Sequence, residues 1–173
     1  MLVAITGTPG VGKSTVSEIL RGKYRVIDIH SYAEEHGLFE EYDEKAGSYN
    51  VDVEKLNEAI SGERIEGTTF MDGHLSHFVD CDMIIVLRCS PDVLAERLEA
   101  RGYCADKIRE NVQAEILDVI LSESADSGID TFEIDCTDSD ASVTAEEIIA
   151  ITKEKNGRRP GSVNWSEHME KWF

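Results

Sequence analysis

Gly7-Thr8-Pro9-Gly10-Val11-Gly12-Lys13-Ser14 is the stretch from which the fold of this chain can be read. It fits G-x-x-x-x-G-K-[ST] at every position, and each fixed residue type has a physical reason. Glycines let the backbone take positive φ and wrap an anion with successive N–H groups. A helix starting near Lys13 aims the positive end of its dipole at the same anion. Lys13 adds a full charge at the β- and γ-phosphates of a nucleotide, and the Ser14 hydroxyl suits Mg²⁺. Four fixed positions can match by chance, so context matters. An apolar run over 2–6 precedes the turn, and Val16, Ile19 and Leu20 follow at the spacing of a core-facing helix.

Outward from this turn, apolar runs alternate with amphipathic stretches, the pattern of a parallel sheet wrapped by helices. Strands are expected at 25–29, 68–71, 83–87 and 131–135, five with the first. Ser90-Pro91 opens a helix with Leu94 and Leu98 inward, ending near Gly102. Ile108, Val112, Ile116 and Ile120 predict one longer helix, and 143–155 a last one with Ile148, Ile149 and Ile151 inward. The acidic segment 36–53 reads as a loop where a substrate lid can sit, and 157–173 as a tail. The expected architecture is a single α/β domain over 1–173 of the P-loop NTPase class.

Composition bounds the function. At 41% hydrophobic residues, with no apolar run near the roughly 18 residues of a membrane span and no leader pattern, a cytoplasmic protein is expected. Thirty-five acidic against 17 basic residues give a charge of −18, which disfavours nonspecific nucleic-acid binding. The same sign fits a basic protein partner, concentrated salt or plain solubility. Cys81, Cys89, Cys104 and Cys136 contain no CxxC pair, so structural thiols are expected rather than a metal centre, and the spacing argues against His74 and His77 joining Cys81 at one.

Enzymes with such a loop use a carboxylate at the end of a neighbouring strand to hold Mg²⁺ or position the attacking group. Asp72 stands at such a strand end, with His74 beyond it as either a catalytic group or a hydrogen-bonded structural residue. Asp80 and Asp82 read as caps. Arginines from a lid stabilise the charge of a moving phosphoryl group. Arg97 and Arg101 lie four apart before Gly102-Tyr103, and Lys107 and Arg109 begin the next helix, so both arginines are candidates; Arg97 pairing with Glu96 or Glu99 on a solvated face is the alternative. Arg88 could also reach the phosphates.

Taken with Tyr42-Asp43-Glu44, Asp72-Gly73-His74, Val86-Leu87-Arg88, Arg101-Gly102-Tyr103, Asn111, Gln113 and Glu115-Ile116, the chain resembles one family over about 1–155. These are the atypical nuclear adenylate kinases that double as ribosome-assembly ATPases, the coilin-interacting nuclear ATPase type, here in an archaeal form. The resemblance implies a nucleoside monophosphate kinase-like fold of five parallel strands with a short lid at about 100–110 and a monophosphate region at about 28–51. It implies transfer between ATP and AMP beside a slower ATPase, and late maturation of the small ribosomal subunit with a basic ribosomal protein as partner. Gly10, Val11, Gly12, Lys13, Ser14, Thr15 and Arg101 would contact ATP, Ser14 and Asp72 would hold Mg²⁺, and Lys13, Asp72, His74 and Arg101 would be catalytic. One departure stands out: Glu34 falls where the family carries an arginine suited to the AMP phosphate. An assembly factor with little kinase activity is the alternative. A kinase for another small metabolite fits less well, since residues 30–60 hold only Lys45 and Lys55 as basic anchors besides histidine.

Overall fold

The computed structural model describes residues 1–43 and 48–173. In chain order the elements are β1 (Leu2–Thr6), α1 (Lys13–Arg21), β2 (Arg25–Asp28), α2 (Ile29–Glu35), β3 (Phe39–Asp43), β4 (Ser48–Val51), α3 (Val53–Ser61), β5 (Thr69–Asp72), β6 (Met83–Arg88), α4 (Pro91–Ala100), α5 (Ala105–Ile116), α6 (Val119–Asp126), β7 (Thr131–Asp135), α7 (Ala141–Glu154) and α8 (Met169–Trp172). Five strands form one parallel sheet in the order β2-β5-β1-β6-β7. Chain order reverses on either side of β1, so the crevice beyond its carboxyl end is where such sheets take ligands.

Strand alternation builds two cores. Val3 and Ile5 face one side, packed with Val16, Leu20, Leu94, Leu98, Val112 and Ile148 from α1, α4, α5 and α7. Leu2 and Ala4 face the other, with Ile29, Tyr32, Leu56, Ile60 and Leu121 from α2, α3 and α6. Each fully buried aliphatic side chain contributes about 1.5–3 kcal/mol, so the strands need helices on both faces. Among the described residues, no helix is long and apolar enough to cross a membrane.

The five expected strands are present, β1 and β7 with the expected bounds and the other three with ends shifted by a residue. β2 stops at Asp28 because that carboxylate caps α2, accepting from the Ser31 N–H at 2.7 Å. In α1 the buried stripe is Val16, Ser17 and Leu20, which turns Ile19 outward to 44% exposure, against its expected inward position. The single long helix expected through Ile120 is two helices. α5 packs on one face of the sheet and α6 on the other, and the chain crosses at Asp118, with φ 54° and its carboxylate on Arg88. The segment read as an acidic loop contains β3, β4 and the start of α3, none of which was expected. β3 and β4 form a separate antiparallel pair, in which Phe39 and Val51 are opposite each other and both pack on the second core. Glu44 and Lys45, used in the resemblance and in weighing basic anchors, lie outside the described residues.

The tail returns over the body. The Arg158 carbonyl accepts from the Glu133 N–H on the outer edge of β7, Val163 is buried, and Trp165 and Trp172 pack on the first core. Gly157 permits the approach: a Cβ there would stand 2.9 Å from Ile151.

Burial raises the thiols of Cys81 and Cys136 to about 11 and of Cys89 to about 12, whereas Cys104 is exposed at the start of α5. Iodoacetamide at neutral pH is therefore expected to modify Cys104 alone in the native protein and the other three only after unfolding, as read by peptide mass spectrometry. Native labelling of Cys89 at a similar rate would contradict this packing.

Candidate active site

The loop between β1 and α1 takes the conformation that only glycine permits. Gly7 (φ 138°) passes so near β6 that a Cβ would lie 2.4 Å from the Leu87 carbonyl oxygen. Gly10 (φ 100°) packs against α4, where a Cβ would lie 2.8 Å from the Leu94 side chain and 2.9 Å from that of Leu98. The first bond within α1 runs from the Val16 N–H to the Gly12 carbonyl at 3.2 Å, so the Lys13, Ser14 and Thr15 N–H groups have no partner within the helix. Glycine loop and helix start thus make an anion cradle.

Lys13 sits in this cradle, its ammonium donating to the Gly7 and Thr8 carbonyls at 2.5 and 3.1 Å. Burial lowers its pKa to about 8, against the opposing charges of Asp72 and Glu115. Register places Asp72 opposite Ile5 on β5, immediately beside the loop strand. Its carboxyl is buried, which raises its pKa, while Lys13 pulls the other way. His74 is held toward its neutral form by burial and then by Lys13.

Two cavities meet at the loop. One of about 290 Å³ is lined by Gly10, Val11, Gly12, Thr15, Val16, Arg97, Arg101, Cys136, Ser139, Ala141 and Thr144. The other, about 220 Å³, is lined by Pro9, Gly10, Gly12, Lys13, Ser14, Asp28, His30, Asp72, Gly73, His74 and Arg101. Arg101, the C-cap of α4, borders both. Lys13, Ser14, Asp72, His74 and Arg101 are therefore brought together, with Val11 and Thr15 in the adjoining cavity. Ser14 and Asp72 supply a hydroxyl and a carboxylate to one cavity, an oxygen pair of the kind that holds Mg²⁺ together with substrate phosphates.

Two other arginines are engaged with the protein itself, Arg97 in the wall of the first cavity and Arg88 behind the loop. Arg97 neither pairs with Glu96 or Glu99 nor stands free: it donates to the carbonyls of Val11 at 3.1 Å, Cys136 at 3.1 Å and Thr137 at 3.0 Å, tying the loop to the end of β7. Arg88 is 1% exposed and does not point at the cradle. It is enclosed by Glu115 at 2.7 Å, Glu133 at 3.1 Å and Asp118. Asp82 does cap a strand, but β1 rather than its own: it accepts from the Leu2 N–H at 2.7 Å. Glu34 is exposed on α2.

Sequence reasoning missed the wall from Cys136 to Thr144, which arrives from the far edge of the sheet. His30 was passed over too, although its place just after a strand ending was a usable signal.

Residues 3–118 match the family model described as an AAA domain. The chain belongs to this AAA-domain family. It is 48% identical over 170 residues to the Methanocaldococcus jannaschii protein named "Putative adenylate kinase", covering 96% of this chain and 94% of that one. A Thermococcus kodakarensis protein of the same name is 41% identical over 169 residues, with coverage of 96% and 94%. Among solved structures, deoxyadenosine kinase from M. mycoides superposes with a TM-score of 0.56 at 20% identity, covering 90% of this chain and all of that one. This AAA-domain member thus has the P-loop fold seen in nucleoside and nucleotide kinases.

Proposed function

We propose that this protein is an adenylate kinase-like phosphotransferase that moves the γ-phosphoryl group of ATP to AMP, with slower hydrolysis when no acceptor is bound. The observation that carries the reading is Arg101, which borders both cavities at the point where they meet over the cradle. In this reading the first cavity takes the ATP nucleoside against Val16, Ala141 and Thr144, and the second takes the acceptor phosphate. The N–H groups of Gly10 to Thr15 hold the polyphosphate, Lys13 leaves its two carbonyls for the β- and γ-phosphates, and Arg101 spans donor and acceptor. Ser14 and Asp72 would hold Mg²⁺, whose charge neutralises the bridging phosphate oxygens. Arg101 supplies on the acceptor side the cation that Glu34 does not, with His74 and His30 beside it as hydrogen-bonding groups. The names of the relatives support this choice of substrates.

A coupled assay of ATP with a panel of nucleoside monophosphates, run beside ATP hydrolysis alone, tests it. AMP is expected to raise turnover above hydrolysis; no increase with AMP would remove the kinase assignment.

The net charge of −18 favours a second reading alongside the first: a cytoplasmic factor in small-subunit maturation whose ATP turnover releases a basic ribosomal protein. Co-purification from a native extract at physiological salt is expected to recover a ribosomal component, and its absence would count against this role.

A further inference from the structure

Glu115 lies on α5, outside the phosphate-loop motif, yet it is buried against it. Its Oε2 accepts from the Thr8 hydroxyl at 2.5 Å. Its Oε1 accepts from Arg88 Nε at 2.7 Å, the Cys89 N–H at 3.2 Å and Trp165 Nε1 at 3.2 Å. Thr8 is buried as well, and its carbonyl accepts the Lys13 ammonium at 3.1 Å and the Val11 N–H at 3.3 Å. One line of hydrogen bonds therefore runs from the C-terminal tail through Glu115 and Thr8 to the loop lysine. The motif leaves position 8 unconstrained, so nothing in phosphate binding itself asks for a hydroxyl there.

We propose that Glu115 is a positioning residue for the phosphate loop, and that through it the tail residue Trp165 is coupled to the bound nucleotide. This rests on the ATP-binding reading of the site. A hydroxyl-to-carboxylate bond sealed from water is among the stronger hydrogen bonds a protein makes. It matters at the moment Lys13 leaves the Gly7 and Thr8 carbonyls for a phosphate, because the loop then loses two internal bonds. With Thr8 tethered to Glu115, the loop N–H groups keep their aim while the ammonium moves. Arg88, the Cys89 N–H and Trp165 hold the carboxylate itself, so a shift of Thr8 on nucleotide binding is transmitted to the indole.

The test separates this from simple neutralisation of Arg88 by Glu115. Thr8→Val removes the tether and leaves the Arg88–Glu115 pair intact. We expect kcat to fall about tenfold, the scale of one buried hydrogen bond to a charged group, with a smaller change in KM for ATP. Thr8→Ser, which keeps the hydroxyl, should recover most of the loss. Trp172→Phe leaves Trp165 as the only tryptophan of the two in the chain. In that background ATP with Mg²⁺ should change Trp165 emission, and Thr8→Val should abolish the change while calorimetry still detects bound ATP. Bound ATP with silent Trp165 emission, or a Thr8→Val enzyme as fast as Thr8→Ser, would overturn the coupling and leave the kinase reading standing. A wild-type protein that binds no ATP would overturn both.

Discussion

Lys13→Ala is expected to lower ATP turnover by about 10³-fold or more, the scale for losing one preorganised charge at a phosphoryl or oxyanion centre. The ammonium is held within the cradle by the Gly7 and Thr8 carbonyls, with burial having lowered its pKa to about 8. Burial disfavours the charged form, and a polyphosphate restores it. Binding ATP should therefore draw a proton onto the protein near pH 8, and affinity should fall as pH rises through that value, since the free protein then carries a neutral amine. Calorimetry in buffers of different ionisation enthalpy measures the proton uptake. Unchanged turnover in Lys13→Ala would remove the cradle as the phosphate site.

Arg88→Met is expected to cost about 3–5 kcal/mol of stability, the range for removing one partner of a buried ion pair. Its guanidinium is the cation between Glu115 and Glu133, both almost wholly buried, and the part-exposed Asp118. Burial already raises the pKa of Glu133, with Arg88 opposing the rise. Without Arg88 the folded-state pKa of Glu133 should lie further above its unfolded value. The folded variant then binds more protons than its unfolded chain, so its stability is lost as pH rises through the folded-state value. The gap from wild type should accordingly be narrower at about pH 5 than at about pH 8. Urea midpoints at the two pH values check both points, and equal midpoints for variant and wild type would refute the network's importance.

The elements that were legible in the sequence are those with local causes. Continuous apolar runs gave the five strands, because a parallel strand buried on both faces must be apolar throughout. The loop was legible because its glycines answer a backbone demand. Asp72 and Arg101 followed from rules about strand ends and lids. Failures came where a distant partner decides. Arg88 looked free to reach a phosphate, but it shares the side of β6 with Ile84 and Val86 and meets carboxylates from α5, the turn before α6, and β7. Arg97 has glutamates beside it in sequence but finds three carbonyls from elsewhere in the chain. The helix break at Asp118 was hidden because Ile120 keeps the spacing of α5 while packing on the other face of the sheet. β3 and β4 were hidden because acidity was weighed over Phe39 and Val51.

The return of the tail along β7 has a consequence for behaviour in concentrated solution. An outermost strand with unmet N–H and carbonyl groups is a template on which another copy can add, the first step toward aggregation. Here the Glu133 N–H is already taken by the Arg158 carbonyl, and the Arg159 guanidinium covers the Phe132 ring at 4.3 Å from its centre. Residues 158 and 159 therefore cover part of that side of the sheet against the addition of another copy, a protection separate from any chemistry at the nucleotide crevice.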